Sequence, residues 1–390
     1  MSMWDSLFHF FSPQGADIPF YMDKAQICAG GGDCWTPRHC FGFIFYASIP
    51  YRMGWRPEAS ILMGLSLVLI SVVLAAKAME VLLPSLAGRG FVFNLAKYGV
   101  IAMAHLVFMW GPVHGFAADT PAACTSLIAL WTFVLACKRN SAWILALSGL
   151  VMGCAFALRN TYIYPAYFFI PGCLWAVFWL KRITWQAMAG FLIMLSLPIL
   201  SQYALTYRHE GAWSALDPGL TAQYTATELT MLSNTVDIPN QDPAYGCDGI
   251  GVDHIYWYTC HDCLNGPPGW SAVLSRGDFF GLAKLLWLKQ EFYFGSYIFQ
   301  PCLENKDQRI WSNWILLANA CAMLAVGYFF VRVRERWILG MLLSYLGGVW
   351  VLFTVLHPET RYMMPVDAFL WSAGPLFLLS LLPSHRGARP

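Results

Sequence analysis

The sequence predicts an all-α polytopic membrane protein: a transmembrane helix bundle with loops and interfacial helices on its outer face. Three observations predict it. Hydrophobic residues make up 58% of the 390 and charged residues 12%, where soluble domains carry roughly 45–50% and 25%. Apolar stretches long enough to span a bilayer recur along the chain. Basic residues gather at alternate connections between them. The net charge of +2 gives no reason to expect a nucleic-acid partner. Eighteen Trp and eighteen Tyr fit aromatic belts at the two membrane surfaces.

The nine apolar stretches cover residues 59–83, 91–111, 116–137, 142–158, 161–180, 186–207, 311–331, 337–356 and 363–383. A spanning helix needs about 20 apolar residues, with a range of roughly 17–25. Residues 142–158 sit at the lower limit, and residues 39–50 are too short to span. The chain then divides into an outer segment 1–58 with interfacial helices, six spans within 59–207, a large outer loop 208–310, and 311–390 with three spans and a short cytoplasmic tail.

Charge orients the spans. Arg89, the pairs Lys138–Arg139 and Lys181–Arg182, the trio Arg332, Arg334 and Arg336, and the pair Arg386 and Arg389 all fall on one side. The short loops of the other side carry only Arg159 and Arg361. The positive-inside rule makes the basic side cytoplasmic. Nearly all acids then lie outside, with Glu335 the exception, and Lys77 and Lys97 are expected to snorkel to the inner surface. The expected setting is a bacterial inner membrane with the working face toward the periplasm.

The segment 279–300 (FFGLAKLLWLKQEFYFGSYIFQ) is interrupted by Lys284, Lys289 and Glu291 and reads as an amphipathic helix lying in the interface. Before it, 208–278 is rich in Gly, Pro, Asp and Asn, with enough Trp and Tyr to suggest an ordered loop. Seven of the twelve cysteines lie outside: Cys28, Cys34, Cys40, Cys247, Cys260, Cys263 and Cys302. Disulfides in an oxidising compartment account for them better than zinc. Cys260 and Cys263 form a CxxC near His254 and His261, but no second CxxC completes a ligand set. The odd count leaves at least one thiol free, and spacing alone does not give the pairing.

Four polar stretches reach the outer surface. GADIPFYMDK holds Asp17 and Tyr21; GPVHGFAADTPAA holds His114 and Asp119; ALRNTYIYP holds Arg159; LHPETRYMMP holds His357, Glu359, Arg361 and Tyr362. Most have a plain structural explanation. Asp119 precedes Thr120 and Pro121 at a helix start and suits an N-cap. Asp17 precedes Pro19 in the same way. Arg159 suits lipid head groups. His114 lies beside glycines in a short turn. HPETRY resists such an explanation, because a hairpin needs only Pro358, whereas a His, a Glu and an Arg at a membrane surface cost desolvation unless partnered. Arg361 presents a planar fork suited to phosphate, with His357 to donate a further hydrogen bond and Glu359 to hold the arginine.

HPETRY followed by MMP and an apolar helix resembles the HKExRF-type motif of the GT-C glycosyltransferases. These are multi-spanning enzymes that use polyprenyl-phosphate-linked sugars. Arg361, Tyr362 and Pro365 match, as do His357 and Glu359; Pro358 replaces the motif's lysine. Asp17, Tyr21 and Ala25 are similar to the family's first outer loop, Asp119 to its second acidic loop, and Arg159 with Pro165 to an arginine that closes a later helix. The resemblance covers most of the chain in topology and a few residues in sequence. It implies a GT-C-like bundle. It also leads us to expect a first helix that this chain lacks, or of which MWDSLFHFF is a remnant.

The implied reaction is sugar transfer from a polyprenyl-phosphate donor to a hydroxyl of a glycan, lipid or protein acceptor. Its phosphate leaves as a stable anion, so one base suffices, in contrast to the two carboxyls of glycosidases. Asp17 is the expected base and Asp119 the second catalytic acidic residue, orienting acceptor or donor. Arg361, His357, Glu359, Tyr362 and Arg159 are expected at the donor phosphate, with Tyr21 and His114 as further substrate contacts. A base opposite the leaving phosphate implies inversion. No cofactor is required; two aspartates permit a divalent cation, magnesium or manganese. Three rivals are a transporter or flippase for lipid-linked sugars, a glycan polymerase or ligase, and a non-catalytic relative. A transporter would place ionisable groups at mid-membrane depth within symmetric, interrupted helices.

Overall fold

The computed structural model describes residues 18–37, 39–56, 59–114, 118–218, 283, 286, 290, 306–355 and 363–382. Its described residues are 84% helical, with no strand among them. Each apolar stretch read from the sequence is a helix. In chain order, α1 is Ile18–Ala29, α2 Phe41–Arg52, α3 Ala59–Leu82, α4 Phe91–His114, α5 Asp119–Arg139 and α6 Ala142–Leu158. They are followed by α7 Ile163–Phe178, α8 Trp185–Glu210, α9 Lys306–Arg332, α10 Arg336–Val355 and α11 Met364–Leu381. Five of these regions are long and apolar enough to cross a membrane: Leu62–Leu82, Asp119–Arg139, Asn160–Phe178, Trp185–Glu210 and Met364–Leu381. The protein is an integral membrane protein of the helical class.

Short connections make successive helices antiparallel and give the bundle two ends. The chain leaves α5 through Lys138 and Arg139, which complement the negative end of its dipole, and Asn140 closes the helix in the left-handed region at φ 50°. Ser141 caps α6 by accepting from the Ile144 amide, so only two residues separate the helices. This end is the basic one. The opposite end carries Asp119 at the start of α5 and Arg159 after α6.

Helix α5 forms the centre and is buried along nearly its whole length. Its many Ala, Ser, Thr and Cys residues are small enough for neighbours to approach closely. Two of their hydroxyls are satisfied within the helix: Thr125 donates to the Pro121 carbonyl and Ser126 to that of Ala123. Ser148 of α6 donates across to the Ala129 carbonyl of α5. On its other side α6 meets α8 through Gly149 and Gly153, a GxxxG pair. A Cβ on these glycines would lie 2.2 Å from the Phe191 carbonyl oxygen and 2.5 Å from that of Leu195.

Helices α1 and α2 are too short to span, as read for residues 39–50, and form a roof at the Asp119 end. Tyr21, Ala25 and Cys28 of α1 pack on Phe43, Ile44 and Ala47 of α2 and on Ala118. Gly42 brings α2 down onto α6, where a Cβ would lie 2.5 Å from the Ala157 carbonyl oxygen. The roof is tied down at its edges. A disulfide joins Cys28 to Cys34. Asp33 pairs with His209 of α8 at 2.8 Å, and Trp35 stacks on the same imidazole. Gln202 of α8 accepts from the Phe41 amide at 2.8 Å and donates to the Ala215 carbonyl at 2.6 Å.

Three expectations change. Lys97 does not snorkel: it is fully buried, pairs with Glu80 and donates to Asn94 Oδ1 at 3.0 Å. Glu80 lies near the basic end of α3, so Glu335 is not the sole acid there. His114 is the last residue of α4 rather than part of a turn. Of the segment 279–300, residues 283, 286 and 290 are described, all helical. Gln290 donates to Thr354 at 2.7 Å and accepts from Trp350 Nε1 at 2.6 Å, which holds Gln290 against α10.

Candidate functional site

The site begins with how α5 starts. Its N-cap is Ala118, which offers no side-chain cap, and Asp119 is the first helical residue. The N-capping explanation of Asp119 therefore fails, although its charge still favours the positive end of the helix dipole. Its side chain is 1% exposed, and the Arg159 guanidinium meets it with Nε 2.8 Å from Oδ1. Arg159 sits where the chain leaves α6 in extended conformation and is held by a turn through Asn160–Tyr162 before α7 begins. Its side chain is 20% exposed. It therefore faces inward to a carboxylate rather than outward to lipid head groups, with a fifth of it open to the surface.

Hydroxyls flank the pair in sequence: Thr120 follows Asp119, and Thr161 and Tyr162 follow Arg159 in its turn. Thr120 and Tyr162 are each 2% exposed. Thr120 Oγ1, Thr161 Oγ1 and the Tyr162 hydroxyl are buried with no hydrogen-bond partner among the described residues. A buried hydroxyl left unpaired costs roughly 1–3 kcal/mol, so three beside these two residues in sequence call for an explanation. Tyr162 lies within electrostatic reach of Asp119, Arg159, Tyr345 and Cys124. Tyr345 of α10 is fully buried with its hydroxyl toward Ser126. The corner thus joins α5, α6, α7 and α10.

Cys40 closes the corner from the roof. Its thiol is free and 2% exposed. Burial pushes it up from 9.0 to about 12, against smaller pulls from the Asn160 backbone and the Arg159 charge. Tyr21 is a packing residue of this roof: it is 8% exposed, its hydroxyl lies 3.0 Å from His39 Nε2, and its ring meets Phe43 edge-on.

The structure thus brings together Asp119 and Arg159, with Tyr21 above them through Ala118. Asp17, immediately before α1, and His357, Glu359, Arg361 and Tyr362, between α10 and α11, lie outside the described residues, as does the CxxC at 260 and 263. The His114 side chain is likewise not described. Among the described residues, no group of three or more His, Cys, Asp or Glu is placed to hold a metal ion. Sequence reading missed Thr120, Tyr162, Tyr345 and Cys40. It also missed Asp367, which is buried in the first turn of α11. The one available signal was TY in ALRNTYIYP, two polar residues directly after a helix-ending arginine.

Comparison with known protein families, characterised proteins and solved structures gives no match for this chain.

Proposed function

We propose that the protein is a GT-C-type glycosyltransferase that moves a sugar from a polyprenyl-phosphate donor to an acceptor hydroxyl. The observation that carries this reading is the buried Asp119–Arg159 pair at the helix-end face. In sequence, the HPETRY stretch lies between α10 and α11, and Asp17 directly precedes a roof helix. Asp17 takes the acceptor's proton. The acceptor oxygen bonds to the anomeric carbon as the carbon–oxygen bond to phosphate breaks, and the lipid phosphate leaves as an anion. His357 and Arg361 hold that anion and offset its growing charge. Attack opposite the leaving group inverts the anomeric centre. We propose a bacterial inner membrane with this face toward the periplasm.

A transporter for lipid-linked sugars is the second reading, favoured by one observation. His105 of α4 is fully buried near mid-helix, 3.1 Å from the Ser71 hydroxyl of α3. Its Nδ1–H donates to the Ile101 carbonyl at 2.9 Å. Ionisable groups at that depth mark transport paths by default.

Purified protein given a panel of polyprenyl-phosphate sugars separates the two. A transferase transfers sugar, and loses transfer in Asp17→Asn and Arg361→Ala while both variants still fold. Donor binding that needs Arg361 without turnover, together with lipid-linked sugar movement in vesicles that fails in His105→Ala, supports transport instead.

A further inference from the structure

We infer that the α5–α6, α7–α8 and α9–α10 turns together form a binding surface for an anionic phospholipid of the bilayer, its headgroup phosphate held by their cations. Packing brings the three turns to one place. A Cβ on Gly172 of α7 would lie 3.7 Å from Met341 and Ser344 of α10, and one on Gly348 of α10 would lie 2.7 Å from the Phe168 ring of α7. The two helices therefore pack antiparallel, and the end of α7 lies alongside the start of α10. The Lys181–Arg182 turn emerges beside Arg334 and Arg336. At the end of α5, Cys137 lies within electrostatic reach of Glu335 and of Cys173 of α7, which brings Lys138 and Arg139 to the same surface. All six cations are exposed. None of them makes an ion pair among the described residues.

The turns are anchored. Ile183, Val333, Ile338 and Leu339, beside these cations in sequence, are buried in the core. The α7–α8 turn closes as the Arg182 amide donates to the Ala176 carbonyl at 2.9 Å, and Lys181 takes the left-handed region at φ 51°. Glycine or asparagine is the usual occupant of such a position, and Asn140 fills it after α5. A lysine there keeps a charge that the local backbone does not favour. Depth points to lipid. Trp179 and Trp185 flank the Lys181–Arg182 pair and are 76% and 55% exposed. Exposed indoles settle at headgroup level, so the cations stand at the depth of the phosphates, with Trp175 and Phe178 exposed beside them on α7. The one acid in the three turns is Glu335, and its Oε2 accepts from Trp337 Nε1 at 3.1 Å. Such a cation cluster favours a headgroup with net negative charge over a zwitterionic one.

The test counts lipids bound to the purified full chain in neutral detergent by native mass spectrometry, titrating phosphatidylglycerol or phosphatidylcholine. Wild type binds a first phosphatidylglycerol saturably and phosphatidylcholine far more weakly. Lys181→Gln with Arg182→Gln, and Arg334→Gln with Arg336→Gln, each weaken the apparent affinity about thirtyfold, the scale of two surface cations. Lys181→Arg with Arg182→Lys keeps the charge and the lipid. Arg208→Gln removes an exposed cation from the opposite end of the bundle and changes nothing. Thermal midpoints in phosphatidylcholine nanodiscs show which variants fold; where a glutamine pair does not, Arg182→Gln alone replaces it, with a loss of about fivefold. Equal uptake of the two lipids, uptake that rises without saturating, or undiminished affinity in the glutamine variants overturns the inference. So does a loss in Arg208→Gln as large as in the pairs. Displacement of the lipid by millimolar inorganic phosphate also overturns it, because the surface would then be a site for free phosphate.

Discussion

Two buried ion pairs stand at opposite ends of the bundle with nearly the same exposure. Near the basic end, Lys97 is 1% exposed and Glu80 20%; at the other, Asp119 is 1% and Arg159 20%. Burial and pairing alone would rank them equally. Their surroundings differ. Lys97 also donates to Asn94 and lies over the Tyr98 ring, and Glu80 takes a second cation from Lys77. That pair is closed, and it joins α3 to α4. Beside Asp119 and Arg159 in sequence, by contrast, Thr120, Thr161 and Tyr162 keep unused hydrogen-bonding capacity among the described residues. Surplus polar capacity at a buried pair separates a candidate site from a staple.

The largest expected effect comes from taking the countercharge from the more buried member. Arg159→Met leaves Asp119 buried without its guanidinium, which should cost about 3–5 kcal/mol and abolish sugar transfer. Glu80→Gln strands Lys97 instead, but Asn94 remains as a partner. Its cost should be smaller, roughly 1–3 kcal/mol, with transfer per folded molecule unchanged. Denaturation midpoints and transfer rates on the same preparations check both. If Glu80→Gln removes transfer as completely as Arg159→Met, the contrast between the two ends is wrong.

Replacing both members sharpens the contrast. Buried pairs exchanged for apolar residues are often neutral or more stable by roughly 1–4 kcal/mol. Glu80→Leu with Lys97→Met should therefore recover stability, with transfer still unchanged. Asp119→Leu with Arg159→Met should recover stability alone. Recovered transfer in the second double variant would show that the pair only props up the fold.

How far the sequence revealed this follows from where the partners lie. Nine helices were legible because each apolar run is long and ends at turn or charged residues. Asp119 and Arg159 stood out as charges at the ends of such runs. Lys97 was misread because its partner Glu80 lies across a turn, 17 positions away, and spacing within one helix does not show pairing between two. Tyr162 passed as a belt aromatic, since a tyrosine near a membrane surface suits either place and only burial decides; Tyr345, at the middle of α10, drew no separate reading. Cys40 was one of seven outer cysteines, and spacing could not say that Cys28 takes Cys34 and leaves Cys40 reduced.

The roof offers a smaller lever on the same contrast. Reducing the Cys28–Cys34 disulfide removes a short loop constraint worth about 2 kcal/mol in the chain-entropy account. Because α1 covers Ala118, the loss should loosen the Asp119 end and leave Lys97 and Glu80 untouched. Amide exchange after mild reduction reads this directly: protection should fall in α1, α2 and the start of α5, and hold near Glu80. Uniform loss along the bundle would mean that the roof is not a separable layer.

At neutral pH the smallest effect concerns the Cys40 thiol, which reports whether the roof is closed. Its burial raises the thiol from 9.0 to about 12, so the folded state holds the proton more tightly than the unfolded chain. The associated stability is present in full below pH 9 and is lost as pH rises through about 12. Wild type should lose stability over that window, and Cys40→Ala should lose less of it. At neutral pH a maleimide should react with Cys40 only when the roof opens, because the thiol is buried as well as protonated. Fast labelling of the oxidised, folded protein would mean that the roof stands open over Arg159. The hydroxyls beneath it would then be solvated, and the distinction between the two ion pairs would disappear.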